Sequence, residues 1–226
     1  MKTAKELRAE ARAALSGNWP KALVCTIVMV LVAIAVSAFY MYRYISVDAV
    51  MAESDPTGYL KLVGWPMLLF LVGGIFLLYP LQFGYYNAFR QLLKDGDADL
   101  TNNMFKNTFS RWGRNVWGYF LMSLFIFLWA LLLYIPGIIK AFAYSMTPYI
   151  LKDYPELSAN QAINLSIKMM KGHKFDLFYL FLTFIGWAIL TVFTCGIGYL
   201  WLTPYMSTAM AAFYEDVKAD YTARIN

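Results

Sequence analysis

Six apolar runs, with most of the lysine and arginine gathered before the first run and between alternate runs, constrain this 226-residue chain more than any other feature. They cover residues 22–42, 62–93, 116–134, 138–151, 175–194 and 199–214. An uncharged run of about 20 residues is enough to cross a hydrocarbon layer about 30 Å thick as a helix. Hydrophobic residues make up 60% of the chain and charged residues only 15%, against about half and about a quarter in a soluble domain. A soluble core cannot hide this surplus, so the bilayer is the expected solvent. The fold class is therefore all-α: one polytopic membrane domain over 1–226 with six spans.

The fourth and sixth runs are short for spans, and re-entrant or interfacial segments are the alternative. The charges favour spanning. With six spans and the N-terminus inside, 16 of the 19 basic residues fall on the inner side. Only Arg43, Lys61 and Lys140 remain outside, the bias that orients membrane helices. Both termini are then cytoplasmic. A cleaved signal sequence ending at Val36-Ser37-Ala38 is the competing reading of the first run. Its leading segment would be too long and would carry Glu6 and Glu10. Residues 46–61, with Asp48, Asp55, Pro56 and Gly58, read as a loop. In the second run the last turns, with Arg90, Gln91 and Lys94, are expected to project into water.

Amphipathic segments precede the first, third and fifth runs. Thr3 with Glu6, and Ser158 with Gln161, have the spacing of a capping box. Ala4, Leu7, Ala11 and Leu15 share one helical face, as do Ala159, Ala162, Ile163 and Ile167. A shift of 155 residues carries Thr3 onto Ser158 and Gly17 onto Gly172, each glycine a helix stop. The middle segment has Thr101 as its expected cap and a stripe of Phe105, Phe109 and Trp112. In the second halves, 92–95 maps onto 150–153 at a shift of 58. Three units of amphipathic helix, span, turn and span are expected, near 1–95, 96–153 and 154–218, with a tail at 219–226.

The C-terminal half also carries an ordered set of motifs. These are Ile135-Pro136-Gly137-Ile138-Ile139-Lys140-Ala141, Pro148-Tyr149, Pro155-Glu156-Leu157 and Met170-Lys171-Gly172. Phe184-Ile185-Gly186-Trp187, Thr194-Cys195-Gly196-Ile197-Gly198 and Pro204-Tyr205 follow. The set resembles a bacterial integral membrane family called domain of unknown function 975. A looser likeness extends to non-catalytic membrane domains attached to some glycerophosphodiester phosphodiesterases. The resemblance implies a multi-pass fold in the bacterial cell membrane and supplies no mechanism.

No catalytic or nucleotide-binding motif appears, and His173 is the single histidine. Cys25 and Cys195 make no metal or redox spacing. No cofactor and no nucleic-acid partner is expected, because the net charge of +5 fits cytoplasmic loops. Arg8, Arg12, Arg90, Arg111, Lys168 and Lys171 are the candidate contacts to anionic lipids or a protein partner, which includes a second copy of the chain. Pro136-Gly137 is expected to shape an outer turn, and Pro148 and Pro204 to kink helices. Asn87, Tyr86, Tyr144, Ser145 and Tyr149 are candidates to line a polar interior. The expected function is an accessory membrane protein without catalysis that binds lipid or a partner. A small transporter built on broken helices is the alternative.

Overall fold

The computed structural model describes residues 1–51, 56–96, 99–132 and 134–225, with side chains except at 39–40, 43–71, 75 and 134. Every element among the described residues is a helix: α1 (Ala4–Leu15), α2 (Trp19–Met51), α3 (Pro56–Asp95), α4 (Leu100–Phe109) and α5 (Trp112–Leu132), then α6 (Tyr134–Tyr144), α7 (Thr147–Asp153), α8 (Ala159–Met169), α9 (Lys174–Phe193) and α10 (Tyr199–Ile225). Three are long and apolar enough to cross a membrane, by length and composition: 19–38, 112–132 and 174–193.

The two capping boxes form as their spacing requires. Thr3 Oγ1 accepts from the Glu6 backbone N–H while the Glu6 carboxylate accepts from the Thr3 N–H. Ser158 and Gln161 repeat the arrangement. Gly17 and Gly172 take positive φ, 78° and 93°, and let the chain turn directly into the next helix. In the middle segment Asp99, not Thr101, holds the N-cap position, and Thr101 lies inside α4.

One burial register runs through all three short helices. Positions 7, 100 and 162 are buried, as are 11, 104 and 166, and 15, 108 and 170. The long helices that follow begin at Trp19, Trp112 and Lys174. They bury 22, 115 and 177, then 25, 118 and 180, at the same offsets.

The core gathers at one end of the bundle. There Leu7, Leu15, Phe83, Phe89, Tyr149, Phe213 and Tyr214 are almost wholly enclosed. At the other end Leu132, Ile135, Val192 and Phe193 are each at least 71% exposed. Apolar surface of this extent fits hydrocarbon rather than water as its surroundings. α4 lies against α3, where a Cβ at Gly84 would sit 2.2 Å from the Met104 carbonyl oxygen.

Further expectations change. The helices α2 and α3 continue through 46–51 and 56–61, where a loop was expected. Pro56 opens α3, a position whose N–H has no helical acceptor in any case. Residues 52–55 lie outside the described residues. Pro136 and Gly137 lie inside the first turn of α6 and form no turn of their own. Proline costs little there, and Gly137 serves close approach: a Cβ would meet Ala130 Cα of α5 at 2.9 Å.

The fourth run is not one helix. It breaks at Ser145-Met146, and Pro148 opens α7 instead of kinking a longer helix. Ser166 of α8 occupies the break. Its Oγ donates to the Ala143 carbonyl at 2.8 Å and accepts from the Met146 N–H at 3.2 Å. Pro204 does lie within α10, where its missing N–H deprives the Leu200 carbonyl of its helical donor. α10 also absorbs the expected tail. Near its end Asp220 meets His173 at 2.9 Å, and Arg224 donates to the Lys171 carbonyl at 3.2 Å.

Candidate functional site

Arg90 on α3 is neither snorkelling nor open to a lipid phosphate. It is 5% exposed and tied to two other helices. Its two terminal nitrogens donate to Asp153 at the end of α7, at 2.5 and 2.7 Å. Its Nε donates to Glu215 of α10 at 2.6 Å. Tyr214 donates to the same Asp153 carboxylate at 2.8 Å, and Lys218 completes it. The guanidinium lies 4.8 Å above the Tyr214 ring, which stacks on Tyr149 at 4.9 Å. Two carboxylates face two cations here, so the cluster closes on itself. Burial pushes the Asp153 carboxyl up, but the bonds from Arg90, Lys218 and Tyr214 outweigh it and hold the group below its ordinary value.

Arg111, though exposed, and the half-buried Arg114 are tied to backbone carbonyls. Arg111 donates to the Pro155 carbonyl at 2.5 Å, and Arg114 to the carbonyls of Pro155 at 2.6 Å and Leu157 at 3.0 Å. Leu151 supplies a further carbonyl to Arg114. Together these bonds hold the link between α7 and α8. Lys168 and Lys171 are exposed. Lys140 stands 4.6 Å over the Trp129 ring.

Arg8 and Arg12, one turn apart on α1, behave differently. Among the described residues neither has a carboxylate at ion-pair distance. Both donate to the Tyr205 hydroxyl, at 3.3 and 3.4 Å, and Tyr205 donates back to the Arg8 carbonyl. Arg8 lies 5.5 Å over Phe184, which meets Tyr205 edge-on at 5.1 Å. Arg12 stands at a cleft of about 590 Å³ lined mainly by Trp19, Trp187, Leu190, Trp201 and Leu202. Arg12 therefore borders an apolar wall, with Arg8 one turn away on the same Tyr205 hydroxyl.

A second cavity, of about 470 Å³, lies between α3, α5, α6, α7, α9 and α10. Tyr86, Tyr149 and Ser145 line it, as their sequence positions led one to expect, whereas Tyr144 packs with Leu121 and Ile163 instead. Asn87 donates to the Phe83 and Pro148 carbonyls beside it. Tyr119, Met122, Met206 and Met210 complete much of the wall. Those four were not legible as site residues, because nothing local separates them from ordinary packing residues. Among the described residues no three His, Cys, Asp or Glu side chains stand together to hold a metal.

Residues 113–221 match the model of a family described as a protein of unknown function, DUF975, in agreement with the resemblance in the motifs. No curated protein and no solved structure matches the chain.

Proposed function

We propose that this chain, whose residues 113–221 carry the DUF975 match, is a multi-pass accessory protein of the bacterial cytoplasmic membrane, without catalysis, that retains anionic lipid on a collar of basic amphipathic helices. One observation carries the reading: among the described residues Arg12, at the rim of a tryptophan-lined cleft, and Arg8, one turn away, have no carboxylate partner, while the buried Arg90 is fully paired. A lipid phosphate supplies the missing charge, and an acyl chain fits the apolar wall. Helices α1, α4 and α8 form the collar, and their shared burial register supports three related units.

Replacing Arg8, Arg12, Lys168 and Lys171 by glutamine should lower phosphatidylglycerol or cardiolipin retention at least tenfold, at about 1 kcal/mol per basic residue near an anionic surface. Native mass spectrometry from mild detergent reads the difference. Equal retention by both proteins would sink the lipid role.

The proposed topology has six spans and both termini inside. Cys195 then sits on the outer turn between α9 and α10, where it is exposed, while Cys25 is buried. A membrane-impermeant maleimide added to intact cells should label Cys195 and spare Cys25. Labelling of Cys195 only after the cells are opened would reverse the orientation.

A second reading, a small transporter, draws on the cavity walled by Met122, halfway along α5, and on the break between α6 and α7. Discontinuous helices beside a cavity are the usual setting of transport sites.

A further inference from the structure

Arg8 and Arg12 share one oxygen atom. The Arg8 Nε and an Arg12 terminal nitrogen stand 3.3 and 3.4 Å from the Tyr205 hydroxyl, which spends its own proton on the Arg8 carbonyl. Two like charges are thus held side by side by a neutral group. Among the described residues no carboxylate stands at ion-pair distance from either. Each guanidinium spends one N–H on Tyr205 and keeps the rest for another acceptor. Arg12 is exposed and carries its charge to the cleft of about 590 Å³. The other polar side chains of the cleft are committed or can only donate. Thr191 and Thr194 give their protons to the carbonyls of Ala188 and Thr191, at 2.6 and 3.0 Å. Thr194 Oγ1 also accepts from the Gly198 N–H at 2.9 Å. Trp19, Trp187 and Trp201 offer indole N–H groups, which donate and never accept. Among the described residues no acidic side chain lines the cleft.

We propose that this cleft takes a lipid that ends in a phosphomonoester, as phosphatidate does, with the phosphate on Arg12 and an acyl chain on the tryptophan wall. The inference rests on the lipid-retention reading and narrows it from anionic lipids in general to one headgroup. A terminal phosphate carries a charge of about −1.5 to −2 at neutral pH and three oxygens that accept. It matches two cations held within 3.4 Å of one hydroxyl, since an anion on Arg12 also lies in the field of Arg8. The planar guanidinium can grip it through two parallel N–H bonds. A phosphodiester brings a single charge and leaves one cation uncompensated. Headgroups with an alcohol or an ammonium fit worse still, because their protons meet a wall of donors. A fatty-acid carboxylate accepts, but it too brings only one charge. Tyr205 is the positioning residue, acting through the two arginines it gathers.

The probes are dioleoyl phosphatidate and dioleoyl phosphatidylglycerol, offered in equal amounts to the full-length protein in mild detergent and read by native mass spectrometry. Wild type should retain phosphatidate about tenfold over phosphatidylglycerol, the worth of one further charge-assisted hydrogen bond. Tyr205→Phe should bring the two lipids to parity and leave phosphatidylglycerol retention as it was, because both positive charges remain but are no longer gathered. Arg12→Lys, at an exposed position, keeps the charge but loses the planar fork and should do the same. Replacing Lys168 and Lys171 by glutamine should lower retention of both lipids and leave their ratio at the wild-type value. Neither oleate nor inorganic phosphate in excess should displace phosphatidate. Equal retention of the two lipids by wild type, or an unchanged ratio in both Tyr205→Phe and Arg12→Lys, would overturn the phosphomonoester site. So would displacement by oleate or by inorganic phosphate. In each of those cases a loss of retention in the lysine variant would still support the collar, whereas retention of neither lipid by wild type would sink both readings.

Discussion

Replacement of Arg90 by methionine should lower the unfolding free energy by about 3–5 kcal/mol, the range for removing one partner from a buried ion cluster. The cause is less the lost attraction than what remains. Asp153 would keep Lys218 and Tyr214, but its two bonds from Arg90 would vanish while it stayed enclosed. Glu215 would lose its partner as well. Thermal unfolding in detergent measures the effect. A triple variant, with Arg90→Met, Asp153→Asn and Glu215→Gln, should recover much of the loss, because no buried carboxylate is then stranded and Lys218, partly exposed, is the one charge left. A loss equal in the single and triple variants would mean that packing, not charge, holds the cluster. The sign of the pH dependence follows from Asp153, whose carboxyl is held below its ordinary 3.8. Its contribution is present above that value and is lost as the pH falls through the lowered one. Arg90→Met should therefore flatten the acid limb of the stability curve.

Gly84→Leu should be comparably severe, for a steric reason. The contact between α3 and α4 is backbone against backbone. A Cβ at position 84 would lie 2.2 Å from both the Met104 carbonyl oxygen and Thr108 Oγ1. Neither is the far end of a flexible side chain. Thr108 is held by its bond to Met104 at 2.8 Å, so α4 must move as a whole. Overpacking of a rigid contact costs about 1–3 kcal/mol even for small additions. Leucine adds three further carbons, so detachment of α4 is expected, read as increased amide exchange over 100–109. Unchanged protection there would show that the interface yields in some other way. Gly118→Ala is the useful contrast, because its nearest neighbour is a terminal methyl of Leu151 at 2.7 Å, which can rotate away.

The features legible in the sequence were those with local causes. The two capping boxes need only residues three apart, and Gly17 and Gly172 need only a chain that turns at once. The apolar runs and the buried face of α1 follow from hydrophobic spacing alone. The break in the fourth run was not legible, because the group that makes it tolerable, Ser166, lies on another helix. Pro136-Gly137 misled for a related reason. The pair is a turn signal in isolation, yet a proline in the first turn is compatible with a helix, and the glycine answers to Ala130 across the hairpin. Arg90 looked like an interfacial cation since its partners stand 63 and 125 residues further along the chain. Tyr119 offered no signal at all: an aromatic residue in an apolar run looks the same whether it packs or lines a cavity.

Those separations also impose an order on biogenesis. A ribosome adding about 5–20 residues per second needs roughly 6–25 seconds to pass from Arg90 to Glu215. For the first half of that interval the guanidinium, already made with α3, has none of its final partners. Asp153 ends part of the wait, and the rest ends only when α10 is complete. α10 thus closes the clamp on the earlier α3, and α1 waits for it too, since the Lys2 backbone N–H donates to Asp216 at 2.7 Å. A chain stopped before α10 leaves Arg90 with Asp153 alone and α1 without its contact to Asp216. Completion of α10 is therefore the step at which both α1 and Arg90 acquire their full set of partners.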